Sequence, residues 1–109
     1  MKVALVCVGG MSSSMIMLKM RKYAAENHIE GFEIEATGTT DLGPALRADV
    51  VLLGPQVVYQ EKNIHRKIGD KPVAMIPMRE YGRGDCPAIF ALIEKTIAEA
   101  RGGGPVDGE

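Results

Sequence analysis

Tryptophan, long apolar runs and an excess of one charge are all missing from this chain of 109 residues. The 13 basic and 14 acidic side chains leave a formal net charge of −1. A polycationic nucleic-acid surface is therefore not expected, and partners must be recognised at a local site. The first apolar run, residues 3–8, is far shorter than the roughly 20 residues a membrane helix needs, so we predict neither a signal peptide nor a membrane anchor.

Cysteine is also scarce, because the chain has only Cys7 and Cys86, which stand far apart in unlike surroundings. This pattern predicts neither a disulfide framework nor a zinc site, and we expect no bound metal. A reduced, cytoplasmic setting fits two free thiols. The length allows one compact core, which we assign to a single domain over residues 1–101. The glycine-rich segment 102–109 is predicted to be a flexible tail.

The apolar pattern alternates between buried strands and amphipathic helices. Continuous or alternating apolar segments predict four strands, and helix-forming segments with capping or breaking residues predict the helices between them. The strands are expected at 2–8, 32–36, 49–54 and 73–76, and the helices at 12–27, 57–68 and 86–100, with a helical turn at 45–47. This order predicts a small doubly wound α/β domain, with a four-stranded parallel sheet of order 2-1-3-4 and helices on both faces.

The turn after the first strand carries the candidate chemistry. It has a thiol at the strand end, two glycines and then three serines, in the order Cys7, Val8, Gly9, Gly10, Met11, Ser12, Ser13, Ser14. Glycines let successive backbone N–H groups turn inward around an anion, and a helix N-terminus adds unpaired N–H donors. The same surroundings favour a thiolate, and serine hydroxyls can donate to phosphoryl oxygens. We predict Cys7 as the nucleophile and 8–14 as the phosphate-binding residues.

Other interpretations of this turn stay open. Cys7 could be a small buried residue beside a tight glycine turn. A nucleotide-binding P-loop lacks its Gly-Lys-Ser/Thr, and the G-x-G-x-x-G spacing of a dinucleotide site is absent. A closer alternative is a low-molecular-weight tyrosine phosphatase, on a similar fold, in which Cys is followed after five residues by Arg. Here Ser13 takes that place, so the bidentate guanidinium clamp on phosphate is missing.

The motif Cys7-x-x-Gly10-Met11-Ser12-x-Ser14 resembles the phosphorylation loop of the lactose/cellobiose-type enzyme IIB of sugar phosphotransferase systems. The segment 48–59, which contains Leu-Gly-Pro-Gln, is similar to that family's central strand and following turn. The segment 70–73 and the pair Tyr81-Gly82 are similar to later segments of the family. The resemblance covers about residues 2–100.

The resemblance implies a phosphoryl carrier without a cofactor. Cys7 would accept phosphate from a phosphohistidine on the A component and pass it to a sugar held by the membrane C component. Partner docking is expected at Met11, Pro55, Gln56 and Tyr59. A cysteine-dependent phosphatase, or a non-catalytic anion-binding module, is the alternative.

Two further features are expected to be structural. Cys86 precedes a helix, but the neighbouring Asp85 disfavours a thiolate and no glycine turn surrounds it, so we assign it no role. Met11, Met15, Met17 and Met20 could form an adaptable apolar rim for two partners, but methionines at such spacing mostly fill the core, so only Met11 is expected at the surface.

Overall fold

The computed structural model of the chain describes residues 1–7 and 11–102, with the side chains of 11–13, 101 and 102 left aside. The strands are β1 (Lys2–Val6), β2 (Glu33–Thr37), β3 (Val50–Leu53) and β4 (Val73–Met75). The helices are α1 (Met11–Glu26), α2 (Gly43–Leu46), α3 (Glu61–Ile68), α4 (Met78–Arg83) and α5 (Cys86–Gly102), and a 3₁₀ helix, Pro55–Gln60, precedes α3.

The four strands form one parallel sheet in the order β2-β1-β3-β4, which confirms the predicted fold class and strand order. The register aligns the strand ends, because Val6 pairs with both Thr37 and Leu53, and Leu53 pairs with Met75. The residues that leave the sheet after β1, β3 and β4 therefore start from one edge. This carboxyl edge is where parallel α/β sheets bind ligands.

The sheet separates two hydrophobic cores. Side chains alternate between faces along a strand, so Val3 and Leu5 of β1 pack with α1, α4 and α5, while Ala4 and Val6 pack with α2, the 3₁₀ helix and α3. Residues buried on both faces explain why β1 and β3 are continuous apolar runs in the sequence.

The helices differ from the sequence-based expectation in two places. The segment 57–68, predicted as one helix, begins two residues earlier and is 3₁₀ before it becomes α-helical at Glu61. Helix α4 was not predicted, because its six residues include Gly82 and are too few to show a helical period. The β1 strand ends at Val6, so Cys7 is the first residue after the strand.

The predictions for the methionines of α1 are partly wrong. Met20 is fully buried, but Met15 is 60 % exposed. The face of α1 that contacts the sheet carries Ile16, Met20 and Ala24, which are four residues apart, and Met15 is displaced from that line by about 100°. Met15, Met17 and Met20 are equally hydrophobic, so the residue type did not indicate which of them faces the core.

Helix α5 continues to Gly102, one residue into the predicted tail, and 103–109 lie outside the described residues, so the flexible tail stays a prediction. Within 1–7 and 11–102, no helix combines the length and apolar character needed to cross a membrane.

Candidate functional site

Cys7 lies at the carboxyl end of β1, next to the central strand β3. Its backbone N–H donates to the Thr37 carbonyl oxygen at 3.1 Å, which continues the β1–β2 pairing by one residue. Strand alternation directs its side chain to the same core as Val3 and Leu5, the core that α1, α4 and α5 cover. Cys7 is a free thiol and only 3 % exposed. A reacting group can therefore reach it only when the covering side chains move.

Gly54 brings three side chains of the site together. Because Val6 pairs with Leu53, the next residues, Cys7 and Gly54, leave adjacent strands side by side. A Cβ atom at Gly54 would lie 2.8 Å from Gln56 Oε1, 3.4 Å from Tyr81 Cε2 and 3.5 Å from Cys7 Cβ. A contact of 2.8 Å is too short for a Cβ atom unless the Gln56 carboxamide shifts. Glycine here leaves room for the carboxamide near the base of the thiol side chain, whereas the Tyr81 ring would be in ordinary contact with a Cβ atom.

The ring of Tyr81 is the third group that lies near Gly54. It lies in α4, where its backbone N–H donates to the Pro77 carbonyl oxygen at 2.9 Å, and the residue is 94 % buried, with 6 % exposed. In the sequence, Tyr81 stands out only as part of the family-like pair Tyr81-Gly82, and it was not predicted as a site residue. Helix α4, which brings Tyr81 close to the end of β1, was not predicted either.

The predicted phosphate-binding residues are only partly described. Val8, Gly9 and Gly10 lie outside the described residues. The backbone of Met11, Ser12 and Ser13 forms the first turn of α1, and Ser14, the next residue, is exposed. The helix thus begins four residues after Cys7, which agrees with the predicted helix after the first strand. The anion-binding role of 8–14 stays a prediction.

The predicted docking residues follow β3 and occupy the 3₁₀ helix. Pro55 is half-buried, Gln56 is exposed and Tyr59 is 77 % exposed. Met78, which follows β4, is 76 % exposed and was not predicted as a surface residue. Exposed apolar side chains therefore occur in two segments that leave the same edge of the sheet.

Cys86 occupies a different setting at the start of α5. The Asp85 carboxylate caps this helix by accepting from the Ala88 backbone N–H at 3.2 Å. Burial raises the pKa of the Cys86 thiol; the Lys19 ammonium opposes this rise and the Asp85 carboxylate adds to it. The Lys19 ammonium also donates to the Arg83 carbonyl oxygen at 3.3 Å. A thiol with a raised pKa stays protonated and is a poor nucleophile at neutral pH.

No cluster of three or more potential metal ligands occurs among the residues that the structure describes.

The geometry defines a small doubly wound α/β domain with a cysteine at the ligand-binding edge of its sheet. The family model for the lactose/cellobiose-specific IIB subunit of the phosphotransferase system matches residues 2–92. The chain belongs to this family and is therefore a phosphotransferase component that works with other components of such a system.

Two curated relatives come from Lactococcus lactis. The galactose-specific EIIB component of subsp. cremoris (strain MG1363) is 41% identical over 105 residues, covering 87% of this chain and 94% of the relative. The cellobiose-specific EIIB component of subsp. lactis (strain IL1403) is 40% identical with the same coverage. The oligo-beta-mannoside-specific EIIB component of Bacillus subtilis (strain 168) is 34% identical over 77% of this chain and 84% of the relative.

Solved structures agree with the fold. The solution structure of the cellobiose-specific phosphotransferase IIB component from Borrelia burgdorferi matches with a TM-score of 0.74 and 31% identity, covering 92% of this chain and 94% of that one. The lactose-specific IIB component domain from Streptococcus pneumoniae matches with a TM-score of 0.69 over 86% of this chain and 95% of that one. At 17% identity, the second comparison supports the fold alone. This fold is also that of the low-molecular-weight tyrosine phosphatases, as predicted.

Proposed function

We propose that the chain is a cytoplasmic phosphoryl carrier in which Cys7 is the phosphorylated residue. The observation that carries the proposal is the position of Cys7 at the carboxyl end of β1, beside Gly54 and four residues before the start of α1. Cys86, the other thiol, is held protonated by burial and lies at a helix start with its own acidic cap. Family membership makes phosphoryl transfer the reaction that this site serves.

The first transfer takes the phosphoryl group from a phosphohistidine of the A component. The Cys7 thiolate attacks phosphorus, an S–P bond forms, and the P–N bond breaks with its electron pair passing to the imidazole. The imidazole leaves neutral because its other nitrogen carries a proton. Charge on the equatorial oxygens is stabilised by backbone N–H groups from the segment 8–14 and by the serine hydroxyls.

The second transfer delivers the group to a sugar bound by the membrane C component. A sugar hydroxyl oxygen attacks phosphorus, the S–P bond breaks, and its electron pair returns to Cys7 as the thiolate. The hydroxyl proton passes to a base or to water on the sugar side. Neither step requires a metal or cofactor. The names of the relatives, which cover galactose, cellobiose and oligo-beta-mannoside, support a carbohydrate acceptor without selecting one.

Both partners dock over the carboxyl edge of the sheet, where Met11, Pro55, Gln56 and Tyr59 provide the contact surface. The exposure of Tyr59 and Gln56 supports this role, and exposed Met78 extends the surface to the segment after β4. The near-complete burial of Cys7 adds a requirement, because a partner must displace covering side chains before its phosphoryl group meets the sulfur.

Intact mass spectrometry after incubation with a phosphorylated A component tests this function. We expect one added phosphoryl group on the unmodified protein and its loss when the C component and sugar are added. No phosphorylation, or phosphorylation that persists when Cys7 is replaced, would overturn the proposal.

The shared fold makes a cysteine phosphatase the second candidate. A phosphatase must clamp the oxyanion and protonate the leaving alcohol, and Ser13 stands where those enzymes have arginine. We expect negligible turnover of an aryl phosphate at neutral pH, and only a small gain in the Ser13→Arg variant, which still lacks the acid. Rapid turnover that depends on Cys7 would favour the phosphatase.

A further inference from the structure

The Gln56 side chain turns back over Gly54 instead of extending away from the 3₁₀ helix. Its Oε1 lies 2.8 Å from the point that a Cβ atom at Gly54 would take, and Cys7 Cβ lies 3.5 Å from that same point. The separation of the carboxamide oxygen from Cys7 Cβ therefore cannot exceed the sum of these distances. The residue as a whole is nonetheless exposed, so Gln56 connects the surroundings of the buried Cys7 with the protein surface.

A phosphoryl group on Cys7 would start from a side chain whose Cβ lies near this carboxamide. Sγ, phosphorus and an equatorial oxygen each add one bond, and a hydrogen bond of about 2.9 Å then spans the remaining gap to a donor. A carboxamide carries two N–H donors on its nitrogen, and its oxygen and nitrogen exchange places when the amide rotates by half a turn. Being neutral, it donates to the phosphoryl oxygens without fixing the group by charge, so the group can leave again.

We infer that Gln56 is a catalytic residue of the transfer site, whose carboxamide donates a hydrogen bond to the phosphoryl group on Cys7. This role is distinct from partner docking and rests on the proposed function, since it requires a phosphorylated Cys7. Gln56 then forms the β3 side of the phosphate site. Gly54 is the residue that makes this possible, because any side chain there would occupy the space that the carboxamide crosses.

Three variants test the contact. Gln56→Ala removes the donor, and Gln56→Glu keeps the shape but places a carboxylate against the phosphoryl oxygens. Asn63→Asp is the matched control, because it makes the same amide-to-carboxylate change at an exposed position of the adjoining helix α3. The rate of single-turnover transfer from the phosphorylated A component to Cys7 is measured at several concentrations of the A component. A ³¹P NMR spectrum is recorded on each isolated phosphoprotein.

We expect the maximal transfer rate to fall about 10-fold in Gln56→Ala, as the loss of one hydrogen bond to a charged group predicts. Gln56→Glu should be slower still, and Asn63→Asp unchanged. The maximal rate should change by a larger factor than the concentration of A component at half-maximal rate, and the phosphocysteine resonance should shift in both Gln56 variants.

A pure docking role for Gln56 predicts the opposite pattern, with a raised half-maximal concentration and an unchanged maximal rate and ³¹P resonance. That result, or equal rates for Gln56→Glu and the unmodified protein, would overturn the inference while leaving the carrier function intact. If the unmodified protein takes up no phosphoryl group at all, the carrier function fails first and the role of Gln56 fails with it.

Discussion

Cys7 and Cys86 are both free, both more than nine-tenths buried and both members of the same hydrophobic core, yet their surroundings differ in chemistry. Cys86 is the first residue of α5, beside the capping carboxylate of Asp85. Cys7 directly follows β1 at the carboxyl edge of the sheet, and its neighbours are a glycine, a carboxamide and a tyrosine ring. Burial alone therefore does not separate a reactive thiol from a structural one. The difference lies in which groups share the burial and where a partner can approach.

The largest expected effect comes from exchanging the two sulfurs for oxygen. Cys7→Ser should abolish phosphoryl uptake from the A component, since a serine hydroxyl is not ionised at neutral pH and is a far weaker nucleophile. Cys86→Ser should take up phosphate at nearly the unmodified rate. Intact mass spectrometry of both variants checks this, and uptake lost in the Cys86 variant with retained folding would remove the distinction between the two thiols.

A smaller effect is expected at the glycine beside Cys7. Gly54→Ala should lower the transfer rate about 10-fold, because the new methyl group displaces the Gln56 carboxamide. The expected loss is that of about one hydrogen bond to a charged group, here the phosphoryl group. Gly38→Ala is the control, since a Cβ atom there meets nothing within 4 Å. Single-turnover kinetics with thermal unfolding of each variant would separate a local effect from lost stability. Equal rates for the two variants would show that the space over Gly54 is unimportant.

The electrostatic surroundings of Cys86 can be changed in opposite directions. In a Cys7→Ser background, Lys19→Met should raise the pKa of the Cys86 thiol further, because the opposing positive charge is lost. Asp85→Asn should lower the pKa, and asparagine still caps the helix. The pH dependence of iodoacetamide alkylation reports both shifts. Shifts of the same sign in the two variants would contradict this account.

The smallest effect concerns stability at alkaline pH. The folded chain holds the Cys86 proton more tightly than the unfolded chain, so stability is fully present below the thiol's ordinary value of 9.0 and falls as pH rises from there towards the raised folded pKa. The slope from this one group is at most about 1.4 kcal/mol per pH unit. Urea unfolding between pH 8 and 10 should therefore show a shallower decline in Cys86→Ala. An identical decline in both proteins would mean that Cys86 is not the group responsible.

Local sequence determined much of this protein. The buried strands β1 and β3 are continuous apolar runs because both faces of the sheet are covered, and the glycine pair followed by serines predicts a turn into a helix after Cys7. The strand order and the family follow from the same patterns together with a short family-like motif.

Tertiary structure alone decided which distant residues meet at Cys7. The register of β1 against β3 sets Gly54 beside Cys7, and α4, too short to leave a periodic signal, carries Tyr81 to the same point. The Gln56 side chain can turn back over Gly54 because residue 54 has no side chain. This matters only because the segments that carry Cys7, Gln56 and Tyr81 meet at that point. Periodicity and capping are properties of neighbouring residues, whereas such a convergence depends on strand register and packing between segments far apart in the chain, which no local pattern encodes.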